Sequence, residues 1–257
     1  MELNIILVQA FLLLVSVLAN ILSAFAGGGA GLIQLPILLF IGLPFPVGLA
    51  THKIASVALG LGASFRHLQE GRLRKKLALF ILLTGLPGVF LGAKVILLIS
   101  DNLASLLLGF LTLSVGIFSS SKAEFGIHEK SFSYSIKDLI FGGLVLFLIG
   151  FINGSLSSGT GLFVTLWLVS WFGLTYSQAI AYTLILVGFF WNLTGAIVVG
   201  FNSQIKWTWV PILLLGSSIG GYIGAHLSLL KGNRIVKTVF EMISVSIGAS
   251  LIFRSFL

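Results

Sequence analysis

The stretch Gly27-Gly28-Gly29-Ala30-Gly31-Leu32 closes one long apolar run, Ile5 to Ala26, and opens the next. Its ending returns 130 residues later as Gly159-Thr160-Gly161-Leu162. Ile41-Gly42-Leu43 is matched in the same way by Phe172-Gly173-Leu174. Gly88 and Gly92-Ala93 are matched by Gly220 and Gly224-Ala225, and the offset drifts only from 130 to 132. Chance supplies one such match in a Gly-rich chain; four in order indicate an internal repeat. Working outward, apolar segments fall at about 4–26, 30–43, 46–66, 77–99 and 102–119. The second set falls at 138–153, 160–173, 178–200, 208–230 and 234–255. Residues 1–119 form the first repeat, 120–137 a polar linker and 138–257 the second repeat. A full helical span needs about 20 residues. Segments 30–43, 138–153 and 160–173 are shorter, which predicts short, broken or re-entrant helices. The span count is therefore eight to ten.

Of the 257 residues, 57% are hydrophobic and only 9% are charged. A soluble domain carries roughly 25% charged residues, so this chain has lipid as its main solvent. The fold class is an all-α polytopic membrane protein. With no cysteine, disulfides and thiolate metal sites are excluded. The net charge of +8 does not indicate nucleic acid, because the basic residues punctuate the apolar runs as topology signals. The first run has Glu2 in place of a basic leader and is too long for a signal-peptide core, so it reads as a span.

Charge also orients the halves. The loop after the third segment holds Arg66, Arg72, Arg74, Lys75 and Lys76, whereas its counterpart around Phe201 to Trp207 holds only Lys206. Positive loops face the cytoplasm, so these equivalent loops belong on opposite sides. The linker (Lys122, Lys130, Lys137) and the turn with Lys231, Arg234 and Lys237 join the basic loop. Eleven of the 15 Lys and Arg then lie inside. Two inverted repeats, with both termini extracytoplasmic, satisfy this pattern. That is the architecture of many secondary transporters, with the site between the halves.

The candidate site follows from the breaks. Gly27 to Gly31 and Asn153 to Gly161 are poor helix interiors. In a membrane, open backbone is tolerated only inside protein or beside a water-filled cavity. A helix that restarts after a break presents N–H groups and a positive dipole end, which suits an anion. Gly28, Gly29 and Gly31 would serve from the first break, and Asn153, Ser157, Ser158, Gly159 and Thr160 from the second. Gly88/Gly92 and Gly220/Gly224 instead suit close helix packing.

Thr51-His52-Lys53 adds charge. Lys53 lies about 10 Å past Pro46 along a helix at 1.5 Å per residue. Ionisable groups at such depth are rare and usually functional, although a lysine there also has the option of snorkelling. His52 would carry a proton, donate to an oxyanion or satisfy a neighbouring carbonyl. The second-half counterpart, Ala181-Tyr182-Thr183-Leu184, lacks the charge, so the site is asymmetric, with Thr183 opposite. Gln34 and Asn192 either line the cavity or hydrogen-bond a neighbouring helix. Lys237 and Glu241 are spaced as an i,i+4 pair.

Enzyme readings find no footing. The chain has neither a Walker phosphate loop nor His-Glu-x-x-His, and its serines sit outside the hydrolase motifs. No cofactor is indicated. The expected partners are a small anion, the bilayer and, given the cost of burying a doubly charged anion beside one lysine, many donors or a co-moving proton or other coupling ion. An oligomer is compatible with the sequence. The rival readings are a channel-like uniporter and a non-transporting membrane scaffold.

These motifs resemble a known family. Gly27-Gly28-Gly29-Ala30-Gly31-Leu32, Ile41-Gly42-Leu43-Pro44, Ala50-Thr51-His52-Lys53-Ile54-Ala55-Ser56 and Gly71-Arg72 resemble the first half of TauE/SafE proteins, sulfite exporters and their relatives. Gly150-Phe151-Ile152-Asn153-Gly154, Gly159-Thr160-Gly161 and Gly220-Gly221-Tyr222-Ile223-Gly224-Ala225 resemble the second half. The resemblance implies a multi-pass transporter of small, often sulfur-containing anions, such as sulfite or sulfonates, in a bacterial or archaeal inner membrane. His52 stands where that family typically has Asn, which adds a pH-sensitive group and leaves the substrate open.

Overall fold

The computed structural model describes residues 2–71, 73–95, 101–121, 124–132, 135–156 and 159–255. The described residues are helical apart from turns and short connections. The helices are α1 (Glu2–Ala26), α2 (Ala30–Phe40), α3 (Phe45–Leu68), α4 (Lys75–Val95) and α5 (Asp101–Ser120). The second set is α6 (Ile136–Leu156), α7 (Thr160–Ser170), α8 (Tyr176–Tyr182), a π-helix (Thr183–Trp191), α9 (Asn192–Asn202) and α10 (Val210–Arg254).

Among the described residues, five helical stretches are long and apolar enough to cross a membrane: Ile6–Ala26, Lys75–Val95, Ile136–Leu156, Tyr176–Phe201 and Val210–Phe253. The protein is a multi-pass membrane protein. Large apolar side chains stand exposed along them, among them Ile6, Leu83, Ile140 and Leu215, as lipid contact requires. The last stretch would rise about 65 Å at 1.5 Å per residue, twice the hydrocarbon thickness. It breaks at Gly232, whose φ of 75° and ψ of 168° lie outside the helical region. The two limbs on either side correspond to the apolar segments expected at 208–230 and 234–255.

Two of the expected short segments are short helices. α2 and α7 each have 11 residues, about 16 Å of rise, or half a membrane. The third expectation is corrected. α6 runs for 21 residues, so Asn153, Gly154 and Ser155 are helical and the break begins later. Gly154 is tolerated inside this helix because a side chain there would strike the Val89 carbonyl, only 2.1 Å from an added Cβ.

Lipid is as apolar as leucine, so helices here associate through close packing rather than through the hydrophobic effect. α1 lies along the first limb of α10, and α4 lies along α6. In both pairs small residues bring backbones together. Gly88 and Gly92 of α4 meet the carbonyls of Phe147 and Phe151; Gly220 and Gly224 of α10 meet those of Val17 and Ile21. α5 packs on the second limb of α10, where Gly116 meets Val245 and Gly248 meets Leu113. Ser119 of α5 donates to Glu241 at 2.6 Å, and Lys237 pairs with the same carboxylate at 2.5 Å.

The basic segments gather at one end. Arg74 pairs with Glu129 of the linker, Asn233 donates to the Ile127 carbonyl at 3.0 Å, and Arg66 bonds His226 at 3.1 Å. At the α3 start, Thr51 donates to the Val47 carbonyl and accepts from the Lys206 backbone.

A Gly92→Val substitution tests the packing. Its Cβ would lie 1.9 Å from the Phe151 oxygen, so overpacking should cost about 1–3 kcal/mol or more. In detergent the variant should melt several degrees lower, whereas Leu83→Ala, at a position 66% exposed, should melt like wild type. Equal melting of both variants would contradict this packing.

Candidate functional site

The two glycine breaks cross. A Cβ on Gly28 would lie 2.6 Å from the Gly161 backbone, and one on Gly161 would lie 2.8 Å from Gly28 Cα. Gly28 also has φ of 142°, which a side chain rarely accepts. Thr165 donates its hydroxyl to the Gly27 carbonyl at 2.8 Å and lies 3.0 Å from the Thr183 hydroxyl. Each short helix starts after a left-handed glycine, Gly29 at φ 104° and Gly159 at φ 76°. Neither glycine has a side chain with which to cap the helix that follows it.

Beside the crossing lies a cavity of about 40 Å³. One water occupies roughly 10–15 Å³ on this measure, so the space suits about three waters or one small oxyanion. Gly28, Gly29 and Gly31 form one wall and Thr160 and Gly161 another. His52, Asn153, Thr183 and Asn192 also line it. Among the described residues, no Asp, Glu, Lys or Arg lines the cavity.

Other expected residues lie elsewhere. Gly159 caps α7, Thr51 ties α3 to the Lys206 backbone, and Gln34 lies behind His52. Ser157 and Ser158 lie outside the described residues. Lys53 is fully buried, and its ammonium donates to the Asn153 carbonyl at 2.8 Å. That carbonyl belongs to the last turn of α6, where helix carbonyls lack intrahelical partners and a cation is favoured. Gly195 of α9 makes room, since a Cβ there would come 2.8 Å from Lys53 Nζ. In the first half the equivalent role falls to backbone: the Gly27 and Gly28 N–H groups both donate to Ser23 O. The presence of Leu184, rather than a lysine, at the position matching Lys53 thus has a structural counterpart.

Sequence reasoning missed Ser23, Ser56, Leu59, Val187 and Gly188, all on the cavity wall. Ser56 and Leu59 follow His52 at i+4 and i+7, so helical spacing alone would have found them. The π-helix has no such signal. It places Thr183, Leu184, Val187 and Gly188 on the same wall, with Asn192 following at the start of α9. Gly188 lets α3 approach at Gly60, where a Cβ would come 2.3 Å from the Gly188 backbone.

Polar groups leave the cavity through a directed chain. The Leu213 carbonyl only accepts, so Ser16 donates to it at 3.0 Å and accepts from Gln34 Nε2 at 3.0 Å. Gln34 Oε1 then accepts from His52 Nδ1 at 2.9 Å, and His52 Nε2 accepts from Ser56 at 3.2 Å. The chain fixes the histidine tautomer and ties α3, α2, α1 and α10 together. Within the cavity, Asn153 spans the second break by donating to Thr160 Oγ1 at 2.7 Å. Asn192 donates to the Gly188 carbonyl at 3.3 Å. Among the described residues, that leaves the buried Oδ1 atoms of Asn153 and Asn192 and the Ser23 hydroxyl without a protein partner.

The family model described as "Sulfite exporter TauE/SafE" matches residues 12–251, as the motifs led one to expect. Similar relatives include a "Probable membrane transporter protein" of Haemophilus influenzae, 29% identical over 95% of this chain and 94% of its own length. The "Probable membrane transporter protein YfcA" of Escherichia coli is 23% identical over 97% of this chain and 91% of its own. The "Probable membrane transporter protein YdhB" of Bacillus subtilis is 24% identical over 94% and 99%. No solved structure matches.

The directed chain predicts coupling. Gln34→Leu strands His52 Nδ1 and should cost about 1–3 kcal/mol. Adding Ser16→Ala should cost less than the two single losses combined, read by denaturation in detergent. Strict additivity would show that the two residues do not share a network.

Proposed function

The chain belongs to the sulfite exporter TauE/SafE family, and from that membership we propose that it exports small, often sulfur-containing anions such as sulfite or organosulfonates. It is a membrane transporter rather than an enzyme. In this reading it works as a secondary transporter by alternating access, in the inner membrane of a bacterium or archaeon.

The observation that carries the reading is the cavity where two helix starts, each led by a left-handed glycine, meet at Gly28 and Gly161. Helix starts favour negative charge, and no carboxylate lines this wall among the described residues. Its dimensions suit an anion of a few heavy atoms. Backbone N–H groups and the hydroxyls of Ser23 and Thr183 hold the anion's oxygens. Ser157 and Ser158 are assigned the same role from sequence alone. Lys53 supplies positive charge from behind the wall while it caps α6. The orphan acceptor on Asn192 is met by a hydrogen of the ligand, either a protonated oxyanion or a water that travels with it. The protonated form also lowers the charge that must be buried. Export needs no ATP: with the interior negative, an outgoing anion gains about 2.3 kcal/mol per charge per 100 mV.

We further propose that residues 1–119 and 138–257 are inverted repeats joined by a cytoplasmic linker at 120–137. The matched glycine seams of α4 on α6 and α10 on α1 support this. So does the gathering of the basic loops at one end.

Flux of labelled sulfite into proteoliposomes, with sulfate and a small sulfonate as competitors, tests the function. Wild type should show saturable flux, and Lys53→Met should lose most of it while remaining folded. Absence of flux for every tested anion, from folded protein, would refute the substrate class; undiminished flux in the variant would remove Lys53 from the site. Reporter fusions at positions 70, 125 and 203 test the topology: 70 and 125 should report inside and 203 outside. Positions 70 and 203 on one side would exclude inverted repeats.

A further inference from the structure

Away from the transport cavity, the run Arg74-Lys75-Lys76 lies at the start of α4. Two cavities adjoin below it, between α4 and α6. The first, about 450 Å³, has those three basic residues at its mouth and Leu77, Phe80, Leu139 and Phe172 in its walls. The second, about 600 Å³, shares Phe80 and Leu139 and continues past Leu83, Pro87, Ile140 and Leu144 without a charged residue. Together they make one trough, cationic at the mouth and apolar beyond. From Lys76 to Pro87 the trough follows α4 for about 16 Å at 1.5 Å per residue, close to half the hydrocarbon core. That is the depth of one leaflet.

The charges at the mouth are unequal. Arg74 is engaged by Glu129. The Gln178 amide, together with Arg74, holds the Glu129 carboxyl below the usual carboxylate range. Asp138, in the first turn of α6, takes the Ser135 hydroxyl at 2.6 Å. Lys75 and Lys76 are exposed and take part in none of the salt bridges among the described residues. They also stand at the helix end whose dipole favours an anion.

We propose that this trough binds one anionic phospholipid, its phosphate between Lys75 and Lys76 and an acyl chain along Phe80, Leu139, Ile140 and Leu144. Basic mouths on apolar inter-helix grooves recognise lipids through the same two contacts. The site also touches the transport machinery. The Arg74 N–H donates to the Tyr182 hydroxyl at 2.5 Å, and Tyr182 directly precedes Thr183, the first residue of the π-helix.

Native mass spectrometry of the purified, delipidated protein tests this with phosphatidylglycerol and phosphatidylcholine of identical chains. Wild type should retain the anionic lipid over the zwitterionic one by roughly tenfold. The Lys75→Gln/Lys76→Gln variant should lose that preference without a change in melting. Leu144→Trp, at an exposed position in the trough, should lower retention of both lipids. Equal retention of the two lipids by wild type, or an undiminished preference in the lysine variant, would overturn the proposal. Unchanged retention in Leu144→Trp would overturn the acyl-chain placement, and competition by soluble glycerol phosphate alone would reassign the mouth to a free phosphate. Each readout is independent of sulfite flux.

Discussion

Gly28 and Gly161 meet backbone to backbone, and the other parts of the molecule are arranged around that contact. A helix interrupted within lipid exposes amide groups that nothing apolar can satisfy. Crossing the two interruptions buries each in the other and leaves a small polar cavity at the junction. At the first break the Ser23 carbonyl accepts from the N–H groups of both Gly27 and Gly28. The second break draws on Lys53 from α3. One lysine thus performs in one half what two backbone amides perform in the other.

The surrounding helices are held by the same economy of size. Along α4 and the first limb of α10, glycines at matched positions admit the carbonyls of α6 and α1. In lipid this closeness supplies the association that water would otherwise drive. The polar chain from Ser56 to the Leu213 carbonyl then crosses four helices. It anchors the 11-residue helix α2 to its neighbours.

Much of this was legible in the residues. Apolar run lengths gave the helices, and the Gly-x-Gly-Leu echo located both breaks. His52, Asn153, Thr183 and Asn192 were singled out and do stand together at the cavity. What stayed hidden has physical causes. The π-helix lies in Thr-Leu-Ile-Leu-Val-Gly-Phe-Phe-Trp, a run so uniformly apolar that no period can be read from it. The partner of Lys53 is a main-chain carbonyl, which leaves no side-chain signature. α6 outlasts Asn153 because Gly154 sits against α4, a tertiary contact that overrides its weak helix propensity.

The crossing at Gly28 and Gly161 also bears on how such a chain evolves. Most tight contacts offer two routes of repair, because an enlarged residue can be answered by a smaller partner. Here both partners already lack a side chain, and each would collide with main chain rather than with a replaceable group. A lineage that loses either glycine therefore has no compensating change at the other, and genetic suppression must come from displacing a whole helix. The two positions are constrained together without being able to covary.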